Sequence, residues 1–177
     1  MIQTLVNAIW PTTNDQQETP ITRADLPEFM VIGIEARTTN AKEATAGSII
    51  AAQWQKFFQE GILGKIPSKT GANIYALYTE YASDRNGEYV YVIGAMVKDG
   101  TAPPAGMVSK RVPGGRYAVL TSEQGPVSTV VPGAWQRLWK LEDDGGLKRS
   151  YKTDFEIYDQ RARDPQNAQV DVYVAIK

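Results

Sequence analysis

The sequence contains no cysteine and no histidine. Without cysteine there are no disulfides, thiolate nucleophiles, iron–sulfur clusters or cysteine zinc sites. Without histidine the commonest general base, the Ser-His-Asp triad and the commonest transition-metal ligand are also gone. Charge of one sign is lacking too: 19 basic against 20 acidic residues leave a formal net charge of −1, and no electrostatic footprint for nucleic acid or an anionic membrane. No phosphate loop of the GxxxxGK[ST] type occurs, and "VPGGRY", from Val112, reads as a turn. The first ten residues, "MIQTLVNAIW", lack the basic start and long apolar core of a signal peptide. No run reaches transmembrane length, so a cytoplasmic protein is expected. These absences favour binding over chemistry, and no cofactor or metal is expected.

What the sequence does hold is pattern. Residues 11–25, "PTTNDQQETPITRAD", read as a polar loop or tail, and "EFMVIGIEART" as a strand. Asn40 and Glu43 have the spacing of an N-cap and capping box. Ile50, Trp54, Phe57, Phe58 and Ile62 follow at helical spacing, until Gly61, Gly64 and Pro67 end the element. "NIYALYTEY" and "EYVYVIGAMV" read as strands joined at Asn86-Gly87, a strong hairpin signal. After the loop "KDGTAPPAG" the plan recurs. "RYAVLTS" is a strand, "PGAWQRLWKL" a short helix opening at Pro132, and "DFEIYDQR" and "QVDVYVAIK" two more strands.

The second half repeats the first in order and spacing. "WQKFF" from Trp54 matches "WQRLW" from Trp135, "YALY" from Tyr75 matches "FEIY" from Phe155, and "YVYVIG" matches "VDVYVAI". The expected fold is α+β: one domain over residues 1–177, with a leading segment 1–25 and repeats 26–100 and 101–177. The repeat sharpens one position. Alternation puts Asp154, Glu156 and Tyr158 on one strand face and Phe155 and Ile157 on the other. A glutamate on such a face is usually solvated, but the matching face of the first copy carries Ala76 and Tyr78. An interior shared by the halves, with one carboxylate in it, competes on level terms with a washed surface. "LEDDGGLKR", with Asp143, Asp144, Lys148 and Arg149, reads as a solvated turn.

At "VIGIEARTTN", "WQKFFQEGI", "IYALYTEYASDRNGEYVYVIG" and "DFEIY" the chain resembles the gyrase-inhibitor-like, or AraC-type, effector-binding domain family. That family includes the drug-binding domains of multidrug-responsive bacterial transcription regulators. The resemblance covers residues 20–177 and implies a tandem of two strand–helix–strand–strand units, with a curved antiparallel sheet and two helices flanking a central ligand cleft. It makes Glu156 the acidic anchor for a small lipophilic cation. An isolated carboxylate in an apolar cavity either takes up a proton or waits for a cation, and aromatic walls add cation–π attraction. Tyr78 and Tyr158, inward by parity, Tyr75 and Tyr91 on neighbouring strands, and Trp54 and Trp139 on the helices are the candidate walls.

Two other functions stay open on this reading. One is hydrolysis of strained electrophilic natural products with Glu156 as general base; the other is a gyrase-modulating protein contact. The leading stretch of about 20 residues leaves no room for a helix-turn-helix reader. A DNA-binding protein or gyrase is therefore the expected partner rather than nucleic acid itself, with the chain a monomer or homodimer.

Overall fold

The computed structural model describes residues 19–177; the reading of "MIQTLVNAIW" and of residues 11–18 lies outside them. In chain order the elements are β1 (Thr22–Leu26), β2 (Phe29–Thr39), α1 (Asn40–Glu43), α2 (Ile49–Gln59), α3 (Ile62–Lys65), β3 (Ile74–Thr79) and β4 (Glu88–Val97). The second half holds β5 (Val108–Val112), β6 (Gly115–Thr121), α4 (Val127–Asp143), β7 (Thr153–Tyr158) and β8 (Asp171–Ala175). All strand pairings are antiparallel, in one eight-stranded sheet ordered β1-β6-β8-β7-β3-β4-β2-β5. The two strand–helix–strand–strand units meet where β3 pairs with β7.

The connections force the sheet to curl. Only Pro27 and Glu28 separate β1 from β2, and only Pro113 and Gly114 separate β5 from β6, yet each pair sits near opposite ends of the strand order. The two edges must therefore come together. Gly114 marks the place: a Cβ there would stand 2.9 Å from the Glu28 nitrogen and 3.1 Å from the Leu26 oxygen, closer than a side chain tolerates. Inside the curl, Phe29 of β2 meets Phe155 of β7 at 5.4 Å, although β4 and β3 lie between them in the sheet. Gly33 and Gly94, paired across β2 and β4, share this inner parity with Val31 and Val92. A Cβ on either would come within 2.0 Å of a carbonyl oxygen across the ladder.

The outer face carries the helices. Phe57 of α2 and Ile62 of α3 pack on Ile32, Ile34, Tyr91 and Ile93, while Val130, Ala134 and Leu138 of α4 pack on Leu120, Val172 and Val174. Each core is an apolar helix stripe on one parity of strand residues.

Three local readings change. Residues 22–25, read as loop, belong to β1. This edge strand is short and mostly exposed, so it lacks the alternation that reveals a half-buried strand. The helix read from Asn40 through Ile62 is three helices, α1, α2 and α3. Thr39 caps α1, and Glu43 caps the next helix instead of its own, accepting from Ile49 and Ile50 N–H. Finally, α4 begins at Val127, so Pro132 lies inside it rather than at its start. Buried Val130 and Val131, N-terminal to the proline, hold that first turn on the core.

Candidate functional site

Glu156 sits on β7 opposite Ala76 of β3 and Val172 of β8, and is 1% exposed. Its Oε1 accepts from Tyr78 Oη and from Trp135 Nε1, both at 2.7 Å, and its Oε2 accepts from Tyr158 Oη at 2.6 Å. The partners are two phenols and an indole, none of them charged. Burial pushes the carboxyl above its ordinary value, and the three donors pull it partly back. Burial, then the adjacent Glu156 charge, holds the Tyr78 and Tyr158 phenols well above theirs. They remain donors.

The repeat explains this arrangement. Trp54 and Trp135 occupy matching helix positions, and Tyr78 and Tyr158 matching strand positions. Each tryptophan packs on the tyrosine of the other half at 4.8 Å, at interplanar angles of 65° and 62°. Position 76 is alanine where position 156 is glutamate, so one carboxylate receives both tyrosines. Trp135 Nε1 reaches it, while the Trp54 indole donates instead to Tyr91 Oη at 2.8 Å.

A second buried acid, Asp154, lies two residues earlier on the same face. It takes Arg149 Nη2 at 2.5 Å, Tyr81 Oη at 2.7 Å and the Ala175 N–H at 2.8 Å. Arg149 is 3% exposed, lies over the Tyr151 ring at 4.2 Å, and meets Glu142 at 3.5 Å. The turn read as solvated therefore contributes a buried cation. Asp143, Asp144 and Lys148 do lie toward solvent, the first two paired with Arg85 and Lys140 at 2.7 and 2.6 Å.

A cavity of about 450 Å³ opens between α4 and the α1–α2 turn, within the range that holds a drug-sized molecule. Tyr78, Tyr81, Tyr89, Trp135 and Trp139 supply its aromatic wall; Ile50 and Val131 add aliphatic surface; Glu43, Arg85 and Arg149 bring charge. Glu156 does not line it, because Tyr78 and Trp135 stand between. The hairpin closes one side, where Arg85 Nη2 spans both oxygens of Asp143 at 2.7 and 2.9 Å and Asn40 Nδ2 donates to the Arg85 carbonyl at 2.7 Å.

Of the residues read from sequence, Tyr78 and Trp139 line the cavity. Tyr91, Trp54 and Tyr158 form the layer behind, with Tyr91 5.1 Å from Tyr78. Tyr75 does not join them. It pairs with Ile157 rather than Glu156 and faces the inside of the curl, against Phe29 and Phe155; period-two alternation already separates it from Tyr78. The sequence reading missed Trp135, Tyr81, Tyr89, Glu43 and Arg149. Trp135 was signalled by its match to Trp54. A general base must reach the proton it removes, and the capped Glu156 is not presented to water here. Among the described residues no group of acidic side chains is arranged to hold a metal ion, and no helix is long and apolar enough to cross a membrane.

Comparison with known proteins agrees with this geometry. The chain is 35% identical over 158 residues to YobU of Bacillus subtilis (strain 168), named as a candidate transcriptional regulator protein, covering 89% of this chain and 96% of that one. It is 33% identical over 155 residues to the transcriptional regulator BrlR of Pseudomonas aeruginosa, covering 85% of this chain but 53% of BrlR, so it spans about half of that relative. The integron cassette protein VCH_CASS2, from the mobile metagenome of Vibrio cholerae, superposes with a TM-score of 0.72 at 27% identity, over 89% of this chain and 95% of that one. SAV2435, solved bound to tetraphenylphosphonium, shares the fold with a TM-score of 0.70 at 18% identity, over 89% and 94%. The model of the integron-associated effector binding proteins matches residues 24–176. The chain belongs to that family and is an effector-binding domain related to the sensor domains of transcriptional regulators.

Proposed function

We propose that the chain binds lipophilic aromatic compounds, cationic ones by preference, in the cavity between α4 and the α1–α2 turn. One observation carries the reading: Glu156 is a buried carboxylate whose partners are all neutral and aromatic, and two of them, Tyr78 and Trp135, form the cavity wall. A cation against those rings gains from their π-faces and from the carboxylate behind them. Most of the lining is aromatic or aliphatic, which suits broad rather than narrow selection. The bound state is read by a protein partner that supplies contact with DNA. Beside the "VPGGR" turn two of the basic side chains are already committed, Lys110 to Glu35 and Glu80, and Arg111 to Glu28 and Asp99.

Thermal shift and calorimetric titration with the size-matched pair methyltriphenylphosphonium, a cation, and triphenylphosphine oxide, which is neutral, test the reading. The cation is expected to raise Tm and the neutral compound to raise it much less, since only ligands of the folded state stabilise it. Equal shifts would show a pocket that reads shape alone.

A further inference from the structure

The cavity is lined by a carboxylate other than Glu156. Glu43, at the end of α1, lines the cavity beside Asn40, Ser48, Ile50 and Tyr89. Its position is fixed by four donors, two to each oxygen. Thr38 Oγ1 at 2.6 Å and Ile49 N at 3.2 Å reach Oε1; Ser48 Oγ at 2.5 Å and Ile50 N at 3.1 Å reach Oε2. The start of α2 and two hydroxyls thus hold the charge in place, and none of the four donors is a cation. These hydrogen bonds outweigh the cost of burial and keep Glu43 below its ordinary pKa.

An ionised carboxylate has about four lone-pair positions, and Glu43 has filled all four. It presents negative charge to the cavity with no acceptor left over. A primary ammonium entering here gives up water from three N–H donors and finds no carboxylate lone pair to replace it; neutral oxygens such as Asn40 Oδ1 are what remain. A quaternary ammonium, a phosphonium or a delocalised aromatic cation has no such donors to satisfy. It gains the same Coulomb attraction without that loss.

We propose that Glu43 is the ligand-facing carboxylate of this cavity, and that its saturated oxygens select permanently charged, donor-free cations over protonated amines of the same shape. The proposal rests on the reading of the cavity as a cation site and names the subclass of cation and the residue that selects it.

The test uses the full chain and four probes on one naphthylmethyl body, each titrated calorimetrically: the trimethylammonium and its neutral tert-butyl counterpart, and the primary ammonium and its neutral methyl counterpart. Each cation's affinity is read relative to its own neutral counterpart, so that the buried methyl area cancels. On that scale the trimethylammonium is expected to bind about tenfold tighter than the primary ammonium. Glu43→Gln is expected to weaken the trimethylammonium by about tenfold and leave its neutral counterpart unchanged, which controls for damage to the α1–α2 turn. Ser48→Ala supplies an independent arm, because it frees one lone pair on Oε2 while the charge stays. It is expected to narrow the gap between the two cations several-fold, to the benefit of the primary ammonium. Equal binding of the two cations to the unaltered chain, each relative to its neutral counterpart, overturns the proposal while the cation site stands. So does a selectivity that Ser48→Ala or Glu43→Gln leaves untouched. Binding of neither cation overturns the proposal together with the cation reading beneath it.

Discussion

Asp154 and Glu156 stand two residues apart on β7, face the same way, and are 0% and 1% exposed. By composition and position they are near twins, but their surroundings differ in kind. Asp154 is neutralised from within by Arg149, which packs between the Tyr81, Trp135 and Tyr151 rings. Glu156 has phenol and indole donors and no cation. A buried acid with its own guanidinium is a closed structural unit; a buried acid held by neutral dipoles is a field that still lacks its counter-charge. The same strand therefore joins a carboxylate with its own cation to one that no cation meets among the described residues.

The largest effect is expected from breaking the closed unit. Arg149→Met leaves Asp154 buried and unpaired, and loss of one partner of such a pair costs about 3–5 kcal/mol. Arg149→Met with Asp154→Leu removes both charges and is expected to recover most of that loss. Denaturant unfolding of the single and double variants measures the difference. A single variant as stable as the double would mean that Arg149 does not hold Asp154 in the folded chain.

The open unit should respond in binding instead of stability. In Glu156→Gln the amide oxygen still accepts from Tyr78 and Trp135, and the amide N–H groups face Tyr158 Oη, which can turn from donor to acceptor. Folding stability should stay within about 1 kcal/mol. Affinity for tetraphenylphosphonium should fall by about three- to tenfold, less than for a direct charge-assisted contact, because Tyr78 and Trp135 stand between Glu156 and the cavity and only the longer-range field is lost. A lower Tm with unchanged affinity would move Glu156 into Asp154's class.

Much of this was legible beforehand, and the exceptions share a cause. The strand alternation and the two matching halves follow from side-chain period and repeat, while the contrast of position 156 with Ala76 only brought a buried Glu156 level with a solvated one, which the structure resolves as buried. Local pattern cannot report what distant chain brings. Arg149 looked solvated in "GGLKRSY": Tyr81 reaches it from the β3–β4 hairpin, while Asp154 and Glu142, nearby in sequence on β7 and α4, are folded onto it by a turn that side-chain period does not reveal. Glu43 had the spacing of a capping box, but the chain turns after α1, so its carboxylate caps the following helix. Tyr75 was an error of parity that the sequence could have prevented. Asp154 gave the missed hint: a strand face with two acids needs either water or an arginine.

Removing single donors sharpens the contrast further. Tyr158→Phe leaves Glu156 Oε2 without a partner among the described residues and should cost about 1.5–3 kcal/mol, the range for a hydrogen bond to a charged group. Tyr81→Phe leaves Asp154 Oδ2 still bonded to Arg149 and should cost less, about 0.5–1.5 kcal/mol. Unfolding curves for both variants decide the order. The reverse order would mean that the guanidinium is the weaker support.

The smallest effect is a slope with pH, and its sign separates Glu156 from Glu43. Burial raises the Glu156 carboxyl above 4.5 in the folded chain. Its favourable contribution is then complete below 4.5 and is lost as pH rises through the folded value. Glu156→Gln does not titrate, so its Tm relative to the parent should climb between about pH 4 and pH 7. Glu43 is shifted the other way, held below 4.5 by Ser48, Thr38 and two backbone N–H groups against the cost of burial. Its contribution is present above 4.5 and disappears as pH falls through the lower folded value, so the Tm deficit of Glu43→Gln should be full at neutral pH and close in acid. The two difference curves should slope in opposite directions, while shared effects of acid on the rest of the chain cancel in each. Parallel slopes would show that the two carboxylates feel the same environment, and that the one lining the cavity does not differ in kind from the one behind its wall.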